Sequence, residues 1–201
     1  EGGELEREEA KIVRGYLNLE EDRVKELMRP KEDIIFFDRP GMQVTLNGVA
    51  QGMAADFARQ ALEEGGIEDA LIDAGEFNAI GSPGRRDSWH IAVQHPRQEG
   101  YIAKTRLQGR CLSTSGDYGT KFSDDYRHHH LFDPRTGISP TELSAVSVAA
   151  PTALEADALS TALFVLCPDK AKEMAESMKR VDALFISKSG DMTATDGFSL
   201  V

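Results

Sequence analysis

A chain of 201 residues with 40% hydrophobic content is long enough to close one substantial core, or two small lobes sharing one. Its formal net charge of -11 argues against nucleic acid and anionic membrane as partners, because the summed field repels phosphate groups at long range; any phosphate ligand has to be met locally, by a metal ion or by backbone N–H groups. Two cysteines, Cys111 and Cys167, give neither a disulfide framework nor a zinc spacing, no apolar run reaches the ~20 residues of a membrane helix, and no signal peptide opens the chain.

The first 28 residues are charge-rich, with Ala10, Ile12, Val13, Tyr16, Leu17, Val24 and Leu27 at partly helical spacing, and predict one or two surface helices. Ile34 to Asp38 is a β-rich run, Arg39-Pro40-Gly41 is turn chemistry and Met42 to Leu46 alternates again, which predicts a hairpin. From Ala50 the apolar positions Met53, Ala54, Phe57, Ala58, Ala61 and Leu62 mark an amphipathic helix that Gly65-Gly66 stops. Ala70 to Ala74 reads as a buried strand, Trp89 to Val93 as an alternating one and Thr105 to Ser113 as a third. Ser144 to Ala150 is another strand. Thr152 and Glu155 form a capping box that opens an apolar, buried helix, ended by Pro168. A helix from about Asp169 to Lys179 and a closing hairpin, Ala183 to Ser187 with Met192 to Thr195, complete the order. Hairpins and helices mixed in this way predict an α+β architecture rather than a doubly wound sheet.

Four segments carry the residue types that chemistry needs. Thr45 to Gly52 runs from a strand through a glycine turn into a helix N-terminus, which suits a phosphate and equally an ordinary tight turn. Leu112 to Gly119 gathers hydroxyls and glycines at a strand end, which suits phosphate or ribose and equally a turn held by side-chain to backbone bonds. In His128 to Gly137 the three adjacent histidines cannot all converge on one ion from a strand; at most His128 and His130 share a face. That segment reads either as a polar strand end entering an Asp133-Pro134 turn or as an imidazole beside an aspartate, the pairing a general base requires. Asp157 and Thr161 stand one helical turn apart near Leu154, Ala158 and Val165, with no basic residue within helical reach. A carboxylate there needs a partner, either a hard cation such as Mg²⁺, held with a hydroxyl and water, or a distant arginine.

Taken in this order, the segments resemble the ApbE family of FAD:protein FMN transferases, whose members carry a D-L-G-G-I-A-K-G-like loop, a T-S-G-D-Y segment, an H-H-I-x-D-P-x-T-G segment and an A-D-A-L-x-T-A helix. Here they read Thr45 to Gly52, Thr114 to Tyr118, His129 to Gly137 and Ala156 to Ala162, and the first motif together with Gly75-Glu76 is similar to a NosX-like subgroup. The resemblance implies one α+β domain over 1–201, of mixed sheets with packed helices, in which 1–41 is peripheral and 42–166 carries the motifs. It implies Mg²⁺ held by Asp157, Thr161 and the backbone oxygen of Gly48, with Ser160 as a fourth contact, and FAD near Thr45, Gln51, Ser115, Gly116 and Phe132. It implies His130 as the base for the hydroxyl of a target threonine, with Asp133 orienting it. FMN then passes from FAD to an acceptor flavoprotein as a phosphoester and AMP leaves. Two other outcomes stay open, an FAD pyrophosphatase giving FMN and AMP and a flavin-binding module without turnover. The chain departs from the family pattern at Thr45, where the loop usually has aspartate, and at Gln51, where it usually has lysine. A G-A-F-D segment of the family's N-terminal half has no match, so the chain is expected to be the C-terminal portion of a longer protein. Exported relatives imply a periplasmic or extracytoplasmic location, with the export signal outside this chain and membrane attachment only through an anchor it does not contain.

Overall fold

A computed structural model of the chain describes residues 28–31, 34–37, 46–84 and 87–201. Two units are distinguished, 1–46 and 47–201. In the first, strands β1 (Met28–Lys31) and β2 (Ile34–Phe37) pair antiparallel, with Met28 opposite Phe37 and Lys31 opposite Ile34. The β-rich run at Ile34 is therefore a hairpin arm, paired with the strand before it, while the expected arm from Met42 lies outside the described residues. Two residues separate the arms in sequence, the shortest common hairpin spacing. The surface helices expected before Met28 lie outside the described residues, as do 38–45.

The second unit has three layers. Its centre is a six-stranded antiparallel sheet of β3 (Ala70–Asp73), β4 (Phe77–Ile80), β7 (Cys111–Gly116), β8 (Leu143–Ala150), β9 (Asp182–Ser187) and β10 (Met192–Ala194), in the spatial order β10-β9-β8-β7-β4-β3. A two-stranded ribbon, β5 (Trp89–Gln94) and β6 (Tyr101–Leu107), packs Ile91, Val93 and Leu107 against Ala79, Leu112, Leu184 and Ile186 on one face. On the other face helices α1 (Ala50–Glu64), α2 (Ala153–Val165) and α3 (Pro168–Ser177) cover Val146, Val148, Ala183 and Phe185. A central strand covered on both faces is mostly apolar, and all eight residues of β8 are buried, Ser144 and Ser147 included. Among the described residues no helix is long and apolar enough to cross a membrane.

Local sequence explains most boundaries. Thr152 caps α2 by accepting the Glu155 N–H at 3.1 Å, and the helix is buried nearly all round because its residues are apolar nearly all round. Pro168 opens α3 at a position where its missing N–H costs nothing. The expected strand Thr105 to Ser113 is in fact two, β6 and β7, divided at Gln108-Gly109, where Gly109 adopts a φ of 57°. β3 lies at the sheet edge and is only half-buried, whereas the unexpected β4 behind it is buried from Asn78 to Ile80.

The two helices beside the site are tied by an exchange of carboxylates. Asp56 of α1 accepts the Ala153 and Leu154 N–H groups at 2.9 Å each, in the first turn of α2. Asp157 of α2 accepts the Gly52 N–H at 2.9 Å, in the first turn of α1. Each carboxylate satisfies donors that a helix start leaves unpaired, and meets the positive end of the other helix's dipole. The approach is close enough that a β-carbon on Gly52 would fall on the Ala153 carbonyl and 2.7 Å from the Leu154 Cα.

Candidate active site

Asp157 and Thr161 share the face of α2 that looks toward the start of α1, and both are buried, at 5% and 9% exposure. Burial holds the Asp157 carboxyl above the usual carboxylate range, and the Gly52 N–H draws it part of the way back. Among the described residues no cation acts on it. A β-carbon on Gly48 would lie 3.6 Å from the Thr161 Oγ1, so three of the expected metal contacts, Gly48, Asp157 and Thr161, converge at this helix junction. Among the described residues no three His, Cys, Asp or Glu side chains are grouped to hold a metal, so a cation here relies on hydroxyl and carbonyl oxygens.

The hydroxyls beside Thr161 form a chain. Ser160 Oγ lies 3.0 Å from the Asp157 carbonyl, 3.1 Å from Ser113 Oγ and 2.8 Å from Ser115 Oγ. The carbonyl only accepts, whereas either hydroxyl can donate in each Ser–Ser contact and in the 2.9 Å contact between Ser115 and Thr161. Ser160 is fully buried and links Asp157, Ser113 and Ser115.

Glu76, at the entry to β4, is a buried carboxyl that the sequence reading left without a role. Burial pushes it up to about 8, with the charges of Asp157 and Asp73 adding to the rise and Ser113 and the Thr114 N–H opposing it. Its Oε2 is buried without a hydrogen-bond partner. Gln51 lies against the adjacent Gly75, where a β-carbon would be 2.7 Å from its Nε2.

The histidines alternate as expected, His128 and His130 exposed and His129 between them buried, about an antiparallel bridge of Lys121 with His129 in which the Phe122 N–H donates to the His128 carbonyl and the His130 N–H to the Thr120 carbonyl. His129 is fully buried, its Nε2 3.0 Å from the Pro140 carbonyl and its ring edge-on to Phe164, and it is a core residue. His130 is exposed, with Nδ1 3.2 Å from the Thr120 carbonyl. That contact needs a proton on Nδ1, which leaves Nε2 as a free acceptor. The expectation that Asp133 orients His130 is corrected: Asp133 takes a two-bond fork from Arg135, at 2.9 and 2.7 Å, which holds its carboxyl below the usual range.

The segment between Thr120 and His130 is held by a cluster that the sequence did not announce. Asp117, fully buried, receives two bonds of 2.7 Å from Arg97 and a third from Lys188. Lys188 also donates to the Tyr126 carbonyl at 2.6 Å, and the Arg97 guanidinium lies 3.9 Å from the centre of the Tyr126 ring. Tyr126 itself adopts a φ of 57°, uncommon without such restraint. Phe132 is exposed and stacks on Phe122, ring centres 6.3 Å apart. Of the other expected flavin contacts, Ser115 belongs to the hydroxyl chain, Gly116 lies under the Tyr118 ring, Gln51 is exposed on the first turn of α1, and Thr45 is outside the described residues.

Comparison with known proteins gives a consistent result. The sequence profile of the ApbE family matches residues 4–185. The FAD:protein FMN transferase of Escherichia coli (strain K12) is 38% identical over 164 residues, covering 79% of this chain and 46% of that protein. The protein of the same name from Klebsiella pneumoniae (strain 342) is 32% identical over 178 residues, covering 83% and 54%. The chain spans about half the length of these curated relatives. The crystal structure of the ApbE protein from Thermotoga maritima superposes with a TM-score of 0.76 at 29% identity, over 95% of this chain and 62% of that one. The apo flavinyl transferase ApbE of Pseudomonas stutzeri gives 0.69 at 32% identity, over 86% and 55%.

Proposed function

Because the chain belongs to the ApbE family, we propose that it carries the reaction centre of a flavin transferase, which moves FMN from FAD to a threonine hydroxyl of an acceptor protein and releases AMP. The observation that carries this reading is the convergence of Gly48, Asp157 and Thr161 at the junction of α1 and α2. A buried carboxyl with no cationic partner among the described residues and a threonine hydroxyl beside it fit a hard divalent ion, and Mg²⁺ is the one proposed. When bound, it supplies charge neutralisation at the FAD pyrophosphate and polarises the phosphorus that is attacked.

The remaining roles belong to side chains. His130, held through Nδ1 by Thr120, offers Nε2 to the proton of the acceptor threonine. As that proton transfers, the threonine oxygen bonds to the FMN phosphorus and the bond to the AMP oxygen breaks. The exposed Phe132 ring, braced by Phe122, is a flat apolar surface suited to a flavin ring. Hydroxyls Ser113, Ser115 and Ser160 hold Thr161 in place.

The test is incubation of the chain with FAD, Mg²⁺ and a threonine-containing acceptor peptide, followed by mass spectrometry of the peptide and quantification of AMP. Peptide gaining the mass of FMN with one AMP per event supports transfer. AMP and free FMN with unmodified peptide reassign the site to hydrolysis, and neither product removes the catalytic reading.

A further inference from the structure

The short segment that ends in His130 is fastened to the rest of the protein at its base and at its turn. Its arms, Thr120 to Phe122 and His128 to His130, are joined by the Phe122 N–H to the His128 carbonyl at 2.7 Å and the His130 N–H to the Thr120 carbonyl at 3.0 Å. The turn between them closes on itself, Ser123 Oγ donating to Asp125 and Asp125 accepting the Arg127 N–H. The exposed His130 ring bonds to Thr120 of the same segment, so the position of Nε2 follows the segment as a body. At the base, the buried His129 donates its N–H to Ser139 Oγ at 3.1 Å and holds Nε2 3.0 Å from the Pro140 carbonyl. At the turn, the Tyr126 carbonyl accepts from Lys188 at 2.6 Å and its ring lies under the Arg97 guanidinium. Tyr126 has a φ of 57°, a conformation that a bulky side chain keeps only where its surroundings hold it.

Both cations at the turn converge on Asp117, which is fully buried directly after β7 and ties its own N–H to the Ser144 carbonyl of β8 at 3.1 Å. Arg97 arrives from the β5–β6 loop and Lys188 from the β9–β10 turn. A buried carboxylate needs a cation, and one is enough to pair it. The second has another use. Arg97 gives Asp117 a fork of two 2.7 Å bonds and lays its flat face on the Tyr126 ring, while Lys188 divides its donors between Asp117 and the Tyr126 carbonyl. Each cation therefore grips the sheet framework with one contact and the turn with another. We infer that Arg97 and Lys188 are positioning residues for His130, holding the far end of its segment so that Nε2 stays aligned with the threonine hydroxyl it deprotonates. The inference rests on the proposal that His130 takes that proton. A segment fixed at His129 alone can pivot there, and a shift of about 1 Å at a reacting atom can cost about 10²-fold in rate.

The test is single-turnover FMN transfer by the full chain, from saturating FAD with Mg²⁺ to a threonine-containing peptide, measured on the parent and on the His130→Ala background. Lys188→Met and Arg97→Met each release the turn while leaving Asp117 one cation, and Lys188→Arg keeps a donor for both of its partners. Lys188→Met and Arg97→Met are expected to slow transfer by about tenfold or more with Mg²⁺ and FAD affinity within about twofold of the parent, and Lys188→Arg to recover most of the rate. On the His130→Ala background the same substitutions should change the residual rate by less than about twofold, because the side chain they act through is gone. Equal losses on both backgrounds overturn the inference and make the cluster a general support, as do losses that appear in affinity instead of rate. If Lys188→Met and Arg97→Met do not fold, Tyr126→Ala, which removes the ring and leaves the ion cluster whole, is put through the same pair of measurements with the same two outcomes. Nuclear relaxation of the His130 backbone and ring gives a reading independent of turnover: greater mobility in Lys188→Met than in the parent supports the clamp, and equal mobility overturns it. A parent that transfers no FMN, or a His130→Ala variant that transfers like the parent, removes the proposed reaction or its base and the inference with it, which is distinct from a loss confined to the Arg97 and Lys188 variants.

Discussion

Replacing Asp157 with asparagine separates its two jobs, receiving the Gly52 N–H and supplying charge to a cation. The amide oxygen of asparagine can still accept the 2.9 Å bond from Gly52, so the variant trades a charge-assisted hydrogen bond for a neutral one, at a cost of about 1 kcal/mol. Relief from burying a charge offsets part of that, because burial already holds this carboxyl above its usual range. For a chain of this size the net change in the metal-free melting temperature is expected to stay within about 4 °C. With Mg²⁺ at a hundred times its dissociation constant, the parent should gain about 2.7 kcal/mol by mass action, or roughly 5 to 10 °C, and the variant nothing. Differential scanning calorimetry of both proteins, each with and without Mg²⁺, reads all four values. A variant that retains the Mg²⁺ shift refutes the assignment. A Mg²⁺-independent loss of about 3 to 5 kcal/mol refutes it differently, since that is the signature of a stranded buried cation.

His130→Ala should lower FMN transfer by about 10²-fold or more with Mg²⁺ binding unchanged, as single-turnover assays and titration will show; unchanged transfer moves the proton acceptor elsewhere. Glu76 has a folded value near 8 against an ordinary 4.5, so the folded state holds its proton over a range where the unfolded state has lost it, and metal-free stability should fall as pH rises between those values. Glu76→Gln should remove that slope, and denaturant melts of the two proteins from pH 4 to 9 that run parallel would contradict the buried-acid account. Lys188→Met removes the bond to the Tyr126 carbonyl and one of the two cations on Asp117, and should destabilise by about 1 to 3 kcal/mol. It should also speed amide hydrogen exchange between Thr120 and His130 more than in α2, and equal effects on both would make Lys188 a general support rather than a clamp on that segment.

What the sequence made legible is what depends on near neighbours. The capping box at Thr152 and Glu155, the apolar run of α2 and the one-turn spacing of Asp157 and Thr161 are all local, and each has its counterpart in the fold. Strand β4 escaped notice because it is short and carries Asn78, whose burial makes sense only once Asp56 and Arg59 of α1 are bonded to it. The merging of β6 and β7 came from a turn too brief to interrupt a β-rich run. The contacts of Ser160 with Ser113 and Ser115 were not legible because those two arrive from a strand distant in sequence. The resemblance set Asp133 to orient His130, yet Arg135 stands two residues away and carries a guanidinium of the right shape to take both oxygens. The Asp117 cluster draws on the β5–β6 loop, the end of β7 and the β9–β10 turn, so no single window of sequence contains it.

The exchange of carboxylates between α1 and α2 also bears on the order in which the chain is made. Helix α1 has no side-chain cap of its own at Val49, and the acceptor it uses instead belongs to a helix synthesised much later. While the ribosome is still producing β3 to β8, Asp56 has no α2 backbone to bind and the Gly52 amide has no Asp157. α1 is therefore expected to stay undocked on the nascent chain until α2 has emerged, and then to dock in one step with it. Arrested nascent chains released just before and just after α2 should differ sharply in protease resistance at α1, with little protection gained anywhere along the intervening strands.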